Sequence, residues 1–315
     1  MAIPFLPKFT AISLALLFTA LAAPALAQEC GDEEDFGECR VLIEINSTDG
    51  DIGFHWLADG DDLNATRIDD PNGEKVFENG AFGPLREQKL TESFGESAEP
   101  PCFGNDEDVV TLRDFREIWE PGTYAFRGKG DDGEKTFGEA ELTYWLPAAP
   151  DITEEFDDKG DRIIEWEAGV DLGECASLEE IEKEPGGLLH DGTLAEAPGD
   201  VPVLAYEVVM EPDVDDNDPR AGLVFSVRVA ADPEQEAGVT TYQLTVPADY
   251  LASLGDDTPV KIEIGAIGGD FEIDEETGEV EGDADNATFT EVDGFCVNDV
   301  GDEGCEEEEE EEEED

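Results

Sequence analysis

Hydrolytic chemistry built on histidine needs an imidazole beside a nucleophile and an orienting acid. The chain has two histidines to offer, His55 and His190. His55 stands mid-strand in "IGFHWLA" beside Trp56, and His190 stands in the turn-like "GGLLHDG". A solvent- or loop-facing place suits each better than the role of a base. No G-x-S-x-G, phosphate-binding glycine loop or H-E-x-x-H occurs. Carboxylate pairs that would suit glycoside hydrolysis abound, but among 85 acidic residues no pair stands out. No catalytic residue and no cofactor is therefore expected. A secreted hydrolase, or an accessory to one, is the remotest of three readings.

Calcium is the cofactor to weigh. "DVDDNDPRAGLV" places Asp213, Asp215 and Asn217 at the first, third and fifth positions of an EF-hand loop. The sharp turn then demands glycine and the loop must end on glutamate, but Asp218 and Val224 stand there. The EF-hand fails. Asp213, Asp215 and Asn217 remain candidate calcium ligands of a looser oxygen site, as do the acids of "DGDD" (59–62) and "GGDFEIDEETGEVEGDAD". A low-affinity extracellular calcium binder is the alternative reading. Asn46, Asn64 and Asn286 open N-x-T/S sequons, which matter only in a eukaryotic secretory route.

Six cysteines, Cys30, Cys39, Cys102, Cys175, Cys296 and Cys305, favour disulfides in an exported chain. Cys30/Cys39 and Cys296/Cys305 repeat one spacing near the two ends. A local staple at each end is expected, leaving Cys102 and Cys175 to pair across the middle.

Export is read from the start of the chain. Lys8, the apolar run Ala11–Ala22 and the small-residue site Ala25-Leu26-Ala27 have the form of a signal peptide spanning 1–27. The protein is expected to be periplasmic or extracellular, without membrane insertion. Seventeen basic residues against 85 acidic ones give a net charge of −68. Nucleic acid is excluded as a partner, because binding it requires a positive field. The acid is spread throughout, beyond the terminal run of nine glutamates and an aspartate (306–315), which should be a disordered tail. Halophilic adaptation explains that spread better than cation capture, since molar salt screens self-repulsion over ~3 Å.

Short alternating strands must position whatever chemistry exists. "RVLIEIN" sets Val41, Ile43 and Ile45 against Leu42, Glu44 and Asn46; "IGFHWLA" sets Ile52, Phe54 and Trp56 against His55. Asp70-Pro71-Asn72-Gly73 is a turn, Thr111 caps a short helix, and a hairpin folds around Gly130–Gly133. These make a mostly-β domain over 28–147, closed by "PAAP". Seven further strands follow, from "APDIT" to "NATFTEV", interrupted by an insertion at 169–201 that carries Cys175 and a Ser177…Glu180 capping box.

Trp166, Tyr206-Glu207-Val208, "YQLTVPADYL" and Gly265-Ala266-Ile267 resemble a fibronectin type III domain over 148–292. The resemblance implies an immunoglobulin-like sandwich. Val260 stands where that family's corner tyrosine is usual. The whole chain also resembles uncharacterised exported bacterial proteins, in which an "EINSTDGDIGFHWLADGDD"-like β domain precedes a type III domain. An all-β, two-domain β-sandwich is thus expected, followed by a Cys-stapled segment (293–305) and the tail. It reads as a non-catalytic binding or structural module whose partner is an unknown protein or polysaccharide.

Overall fold

The computed structural model describes residues 36–104, 108–130, 135–156, 162–182, 185–215, 217–232, 235–255, 258–274 and 280–297. The expected signal peptide, Cys30, Cys305 and the acidic tail lie outside the described residues, as do most of Gly130–Gly133 and part of the Cys-stapled segment.

Alternation decides the first half. In β1 (Glu38–Asn46) every second residue, Cys39 through Ile45, is buried. In β2 (Asp51–Leu63) Ile52, Phe54, Trp56 and Ala58 face the same interior. β3 (Ala65–Asp69) and β4 (Lys75–Glu78) flank the Asp70 turn. There the Asp70 carboxylate accepts the Asn72 and Glu74 N–H groups. After α1 (Pro84–Gln88) and β5 (Leu90–Glu96), α2 (Leu112–Ile118) starts where the Thr111 hydroxyl accepts the Asp114 N–H. β6 (Gly122–Lys129) and β7 (Lys135–Leu142) complete this half.

The second half begins with β8 (Asp151–Phe156) and β9 (Arg162–Glu167). Within the insertion the described residues form two single-turn α-helices, α3 (Leu178–Ile181), which starts on the expected capping box, and α4 (Leu188–Asp191), besides 3-10 turns at Gly173–Cys175 and Pro198–Asp200. β10 (Val203–Pro212), β11 (Phe225–Ala230), β12 (Thr241–Thr245), α5 (Ala248–Leu254) and β13 (Pro259–Gly268) follow. A small hairpin, β14 (Phe271–Ile273) and β15 (Val280–Gly282), forms within the stretch expected to be an acidic loop. β16 (Asn286–Cys296) ends the described chain and continues beyond Val292 into the segment assigned to the terminal staple.

The fold is all-β. β12-β9-β8 form one sheet and stack on β11-β10-β13-β16, three strands on four, as an immunoglobulin-like sandwich. Ile164, Trp166, Tyr206, Val208, Ile262 and Ile264 fill the space between. Trp166 stacks on Tyr242, and Tyr206 packs edge-on against it. With Val260 buried in this core, a different tyrosine ties the backbone: the Tyr250 hydroxyl on α5 is shared between the carbonyls of Met210 (2.7 Å) and Leu223 (2.9 Å).

The four-stranded part is one end of a longer sheet. β16 pairs in parallel with β1, giving the seven-stranded order β11-β10-β13-β16-β1-β2-β5. Side chains secure this junction, because parallel pairing spans only Glu44–Asn46. The Ile43 N–H donates to Asn286 Oδ1 (2.9 Å), and the Thr48 hydroxyl exchanges bonds with the Glu291 backbone. Asn286 is fully buried and also donates to the Trp145 carbonyl. Its sequon is therefore structural in the folded chain. A four-stranded sheet, β4-β3-β6-β7, covers β1 and β2, so two cores lie side by side on one face of the long sheet. The insertion joins the first core: Leu172, Ile181, Leu188 and Leu194 pack there, and Cys175 is joined to Cys102 with a Cα–Cα distance of 5.1 Å. Cys39 and Cys296 are also disulfide-bonded.

Candidate functional site: the bare face of the long sheet

Strand alternation that buries Ile43, Ile264 and Val208 sends their neighbours Glu44, Glu263 and Glu207 to the opposite face. Among the described residues neither smaller sheet covers that face. A groove of about 500 Å³ runs across it between β11 and β1, edged by Ile273 and Val280 of the small hairpin. Its floor is apolar, with Leu42, Ala205, Ala230, Ile267, Ala287 and Phe289. Gly265 makes that floor possible. Phe289, its partner in register, lies across it, and a Cβ at 265 would stand 2.2 Å from the ring.

The walls carry charge. Arg228 donates to Glu207 (2.9 Å) from the neighbouring strand, and Arg40 pairs with Glu38 and with Asp285 (3.4 Å). Below them Lys261 bridges Glu291 (3.0 Å) and Glu211 (3.2 Å). Glu263 is pushed up to about 7, first by burial and then by the Glu291, Glu44 and Glu211 carboxylates, against the pull of Lys261. Glu44 is likewise pushed up to about 7, by burial and then by Glu99, Glu96 and Asp51. Beside the groove Asp283 accepts the Thr143 hydroxyl (3.0 Å), and burial raises its carboxyl to about 7 with help from Asp285. Carboxylates thus outnumber the arginines along the walls, and several are held poorly solvated.

His55 stands on the same face, next to Leu42 on one side and Glu96 on the other. Its side chain is 19% exposed and ringed by carboxylates. Nε2 is 3.6 Å from Glu99 and 3.9 Å from Glu44, while Nδ1 is 3.9 Å from Glu96. His190, by contrast, lies on α4 in the insertion.

The expected calcium ligands lie elsewhere. Asp213, Asp215 and Asn217 are exposed in the β10–β11 loop. Asp218 within that loop is held by Arg220 (2.9 and 2.6 Å), and those hydrogen bonds lower its carboxyl to about 2. Asp213 and Asp215 join no converging group of His, Cys, Asp and Glu ligand atoms among the described residues. Sequence reading does not isolate Glu44, Glu207 and Glu263. Their signal is that "RVLIEIN", "VLAYEVVME" and "VKIEIGAI" each set one glutamate among apolar residues on the side away from the core. Glu99 has no such signal.

No protein-family model matches the chain, and no curated protein is similar to it. Solved structures give distant likenesses. One is described as structural insight into host cell surface retention of a 1.5-MDa bacterial ice-binding adhesin, with a TM-score of 0.20 at 9% identity over 81% of this chain. This chain spans 62% of that one. A second is a two-domain fibronectin type III segment from chicken tenascin, with a TM-score of 0.20 at 11% identity, covering 82% of this chain and 98% of that one. Among the described residues no helix is long and apolar enough to cross a membrane.

Proposed function

We propose that this chain is an exported, non-catalytic β-sandwich module of a saline environment that binds a protein partner across the bare face of its long sheet. One observation carries the reading: the central strands bury Ile43, Val208 and Ile264 on one face and keep on the other a groove with an apolar floor and carboxylate-rich walls. Acidic residues placed only for solubility in salt would not require such a floor, and a contiguous apolar groove rimmed by charge is the usual form of an interaction surface. Leu42, Ile267 and Phe289 suit apolar side chains, while Glu44, Glu207 and Glu263 favour a cation between them. A basic side chain flanked by apolar ones meets both demands, whereas a neutral polysaccharide supplies no cation.

An immobilised peptide library varying Lys/Arg content and apolar flanks tests this, probed with the full chain at low and at molar ionic strength. Peptides with a basic residue between apolar ones should be selected at both. Ala205→Trp, which fills the groove, should abolish that selection. Unchanged selection by the filled variant, or equal retention of acidic peptides, would overturn the reading.

A further inference from the structure

Glu44 Oε1, His55 Nε2 and Glu99 Oε1 all lie within 4.8 Å of one another. His55 Nε2 is buried and makes no hydrogen bond. A ring nitrogen shut away from water normally finds a partner, because an unmade hydrogen bond leaves its desolvation uncompensated. This nitrogen instead points at two carboxylates, at 3.6 and 3.9 Å. Those gaps are too long for hydrogen bonds and close to the spacing of ligands around one small cation: metal–ligand bonds of about 2.0–2.2 Å in tetrahedral geometry separate neighbouring donors by about 3.3 Å. Bringing the two imidazole–carboxylate gaps to that spacing takes about 0.3 and 0.6 Å.

The backbone holds the three ligands in place. Glu44 and His55 are on paired strands. Glu99 belongs to the segment after β5, which is fastened back onto β2. The Ser97 N–H donates to Phe54 O (2.8 Å), Ile52 N–H to Pro100 O (3.2 Å) and Cys102 N–H to Gly50 O (2.7 Å). The Cys102–Cys175 disulfide anchors its end. Gly53, opposite Glu44 in register, leaves the opening: a Cβ there would lie 3.0 Å from His55 Nε2 and 3.1 Å from Glu99 Cγ. On the far side of the ring, Nδ1 faces the Glu96 carboxylate at 3.9 Å, beyond hydrogen-bond length; a shift of the exposed Glu96 side chain toward the ring would complete the carboxylate–imidazole–metal order that fixes a ligating histidine.

We propose that Glu44, His55 and Glu99 form a binding site for a divalent transition-metal cation of the zinc class, with Glu96 positioning the imidazole. The donor set decides the class. One imidazole with two carboxylates suits zinc and its neighbours, whereas calcium takes six to eight oxygens and gains little from nitrogen. The site shares Glu44 with the groove wall but does not rest on the groove reading, because His55 and Glu99 do not line the groove.

The test uses the oxidised full chain and ZnCl₂. With only two histidines in the chain, their imidazole C–H resonances are separately readable. Zn²⁺ should shift the His55 signal at one equivalent and leave that of His190 in place, and Ca²⁺ at matched ionic strength should move neither. His55→Ala and Gly53→Ala should each abolish one-equivalent binding in titration calorimetry. Glu96→Gln should weaken it about tenfold. Melting curves without metal establish that each variant is folded. Zn²⁺ moving both signals alike, or neither, would overturn the site whatever the variants do, as would unchanged stoichiometry in a folded His55→Ala protein.

Discussion

The two faces of the seven-stranded sheet are made by the same strands and do opposite things. On one, Ile43, Ile45, Ile262 and Ile264 are fully buried beneath two smaller sheets. On the other, one residue along, Glu44, Glu263 and His55 sit half-covered in a crowd of carboxylates. Alternation allows this separation, because a substitution at i+1 points away from the packing made at i. Stability is concentrated on the covered face and chemistry on the bare one. That contrast can be attacked from either side.

The largest effect belongs to the core packed on the covered face, into which Trp166 projects from the overlying three-stranded sheet. Trp166 is fully enclosed between Tyr206 and Tyr242, and Trp166→Ala should cost about 3–5 kcal/mol in urea unfolding. Glu207→Ala, a short way off on the bare face, should cost under about 1 kcal/mol, since its ion pair with Arg228 is a surface one. Comparable losses would dissolve the contrast. Removing the Cys102–Cys175 link, which closes a separation of 73 residues, should cost roughly 2–4 kcal/mol. It should also loosen Glu99, so that Zn²⁺ binding weakens in a Cys102→Ser/Cys175→Ser double variant, which introduces no thiolate ligand.

An intermediate effect is expected from pH. Asp283 has a folded pKa of about 7 against an ordinary 3.8, so between those values the folded chain holds a proton that the unfolded chain has released. Its contribution is fully present below about pH 4 and is lost as pH rises through about 7. Glu263 acts in the same direction from an ordinary 4.5. Melting temperature should therefore fall between pH 5 and pH 8. General repulsion among the acids has the same sign, so the diagnostic is the difference between wild type and Asp283→Asn. The variant should show the flatter profile, and parallel profiles would mean that Asp283 is not the source.

Much of the covered face was legible in the sequence and little of the bare one. "RVLIEIN" and "VKIEIGAI" announce strands and their buried sides, because burial imposes a period of two. They do not announce that β1 and β16 meet, because the bonds joining Ile43 to Asn286 and Thr48 to Glu291 close a separation of 243 residues. Period tells a strand which way to face, not beside whom to lie. The insertion is similar: Leu172, Ile181 and Leu188 read as scattered apolar residues until the disulfide at Cys175 brings them to the first core. His55 read correctly as pointing away from the core. Its neighbours could not be read, since Glu99 reaches it only through a segment folded back on β2.

The smallest expected effect tests the acidic loops against the ringed histidine. Asp213, Asp215 and Asn217 have the spacing of a calcium loop but stand exposed, and the adjacent Asp218 is occupied by Arg220. Binding Ca²⁺ there would require drawing several solvated carboxylates together without a backbone that already holds them. At His55 the strands and the disulfide have already met that ordering cost. Changing Asp213, Asp215 and Asn217 together to alanine should therefore leave the melting temperature unchanged to within a degree or so in CaCl₂ and in NaCl at matched ionic strength, since surface changes of this kind fall within about 0.5 kcal/mol. A rise in melting temperature at sub-millimolar Ca²⁺ that the triple variant lost would place a specific site in that loop, showing that spacing alone, without preorganised burial, suffices to hold a cation on this protein.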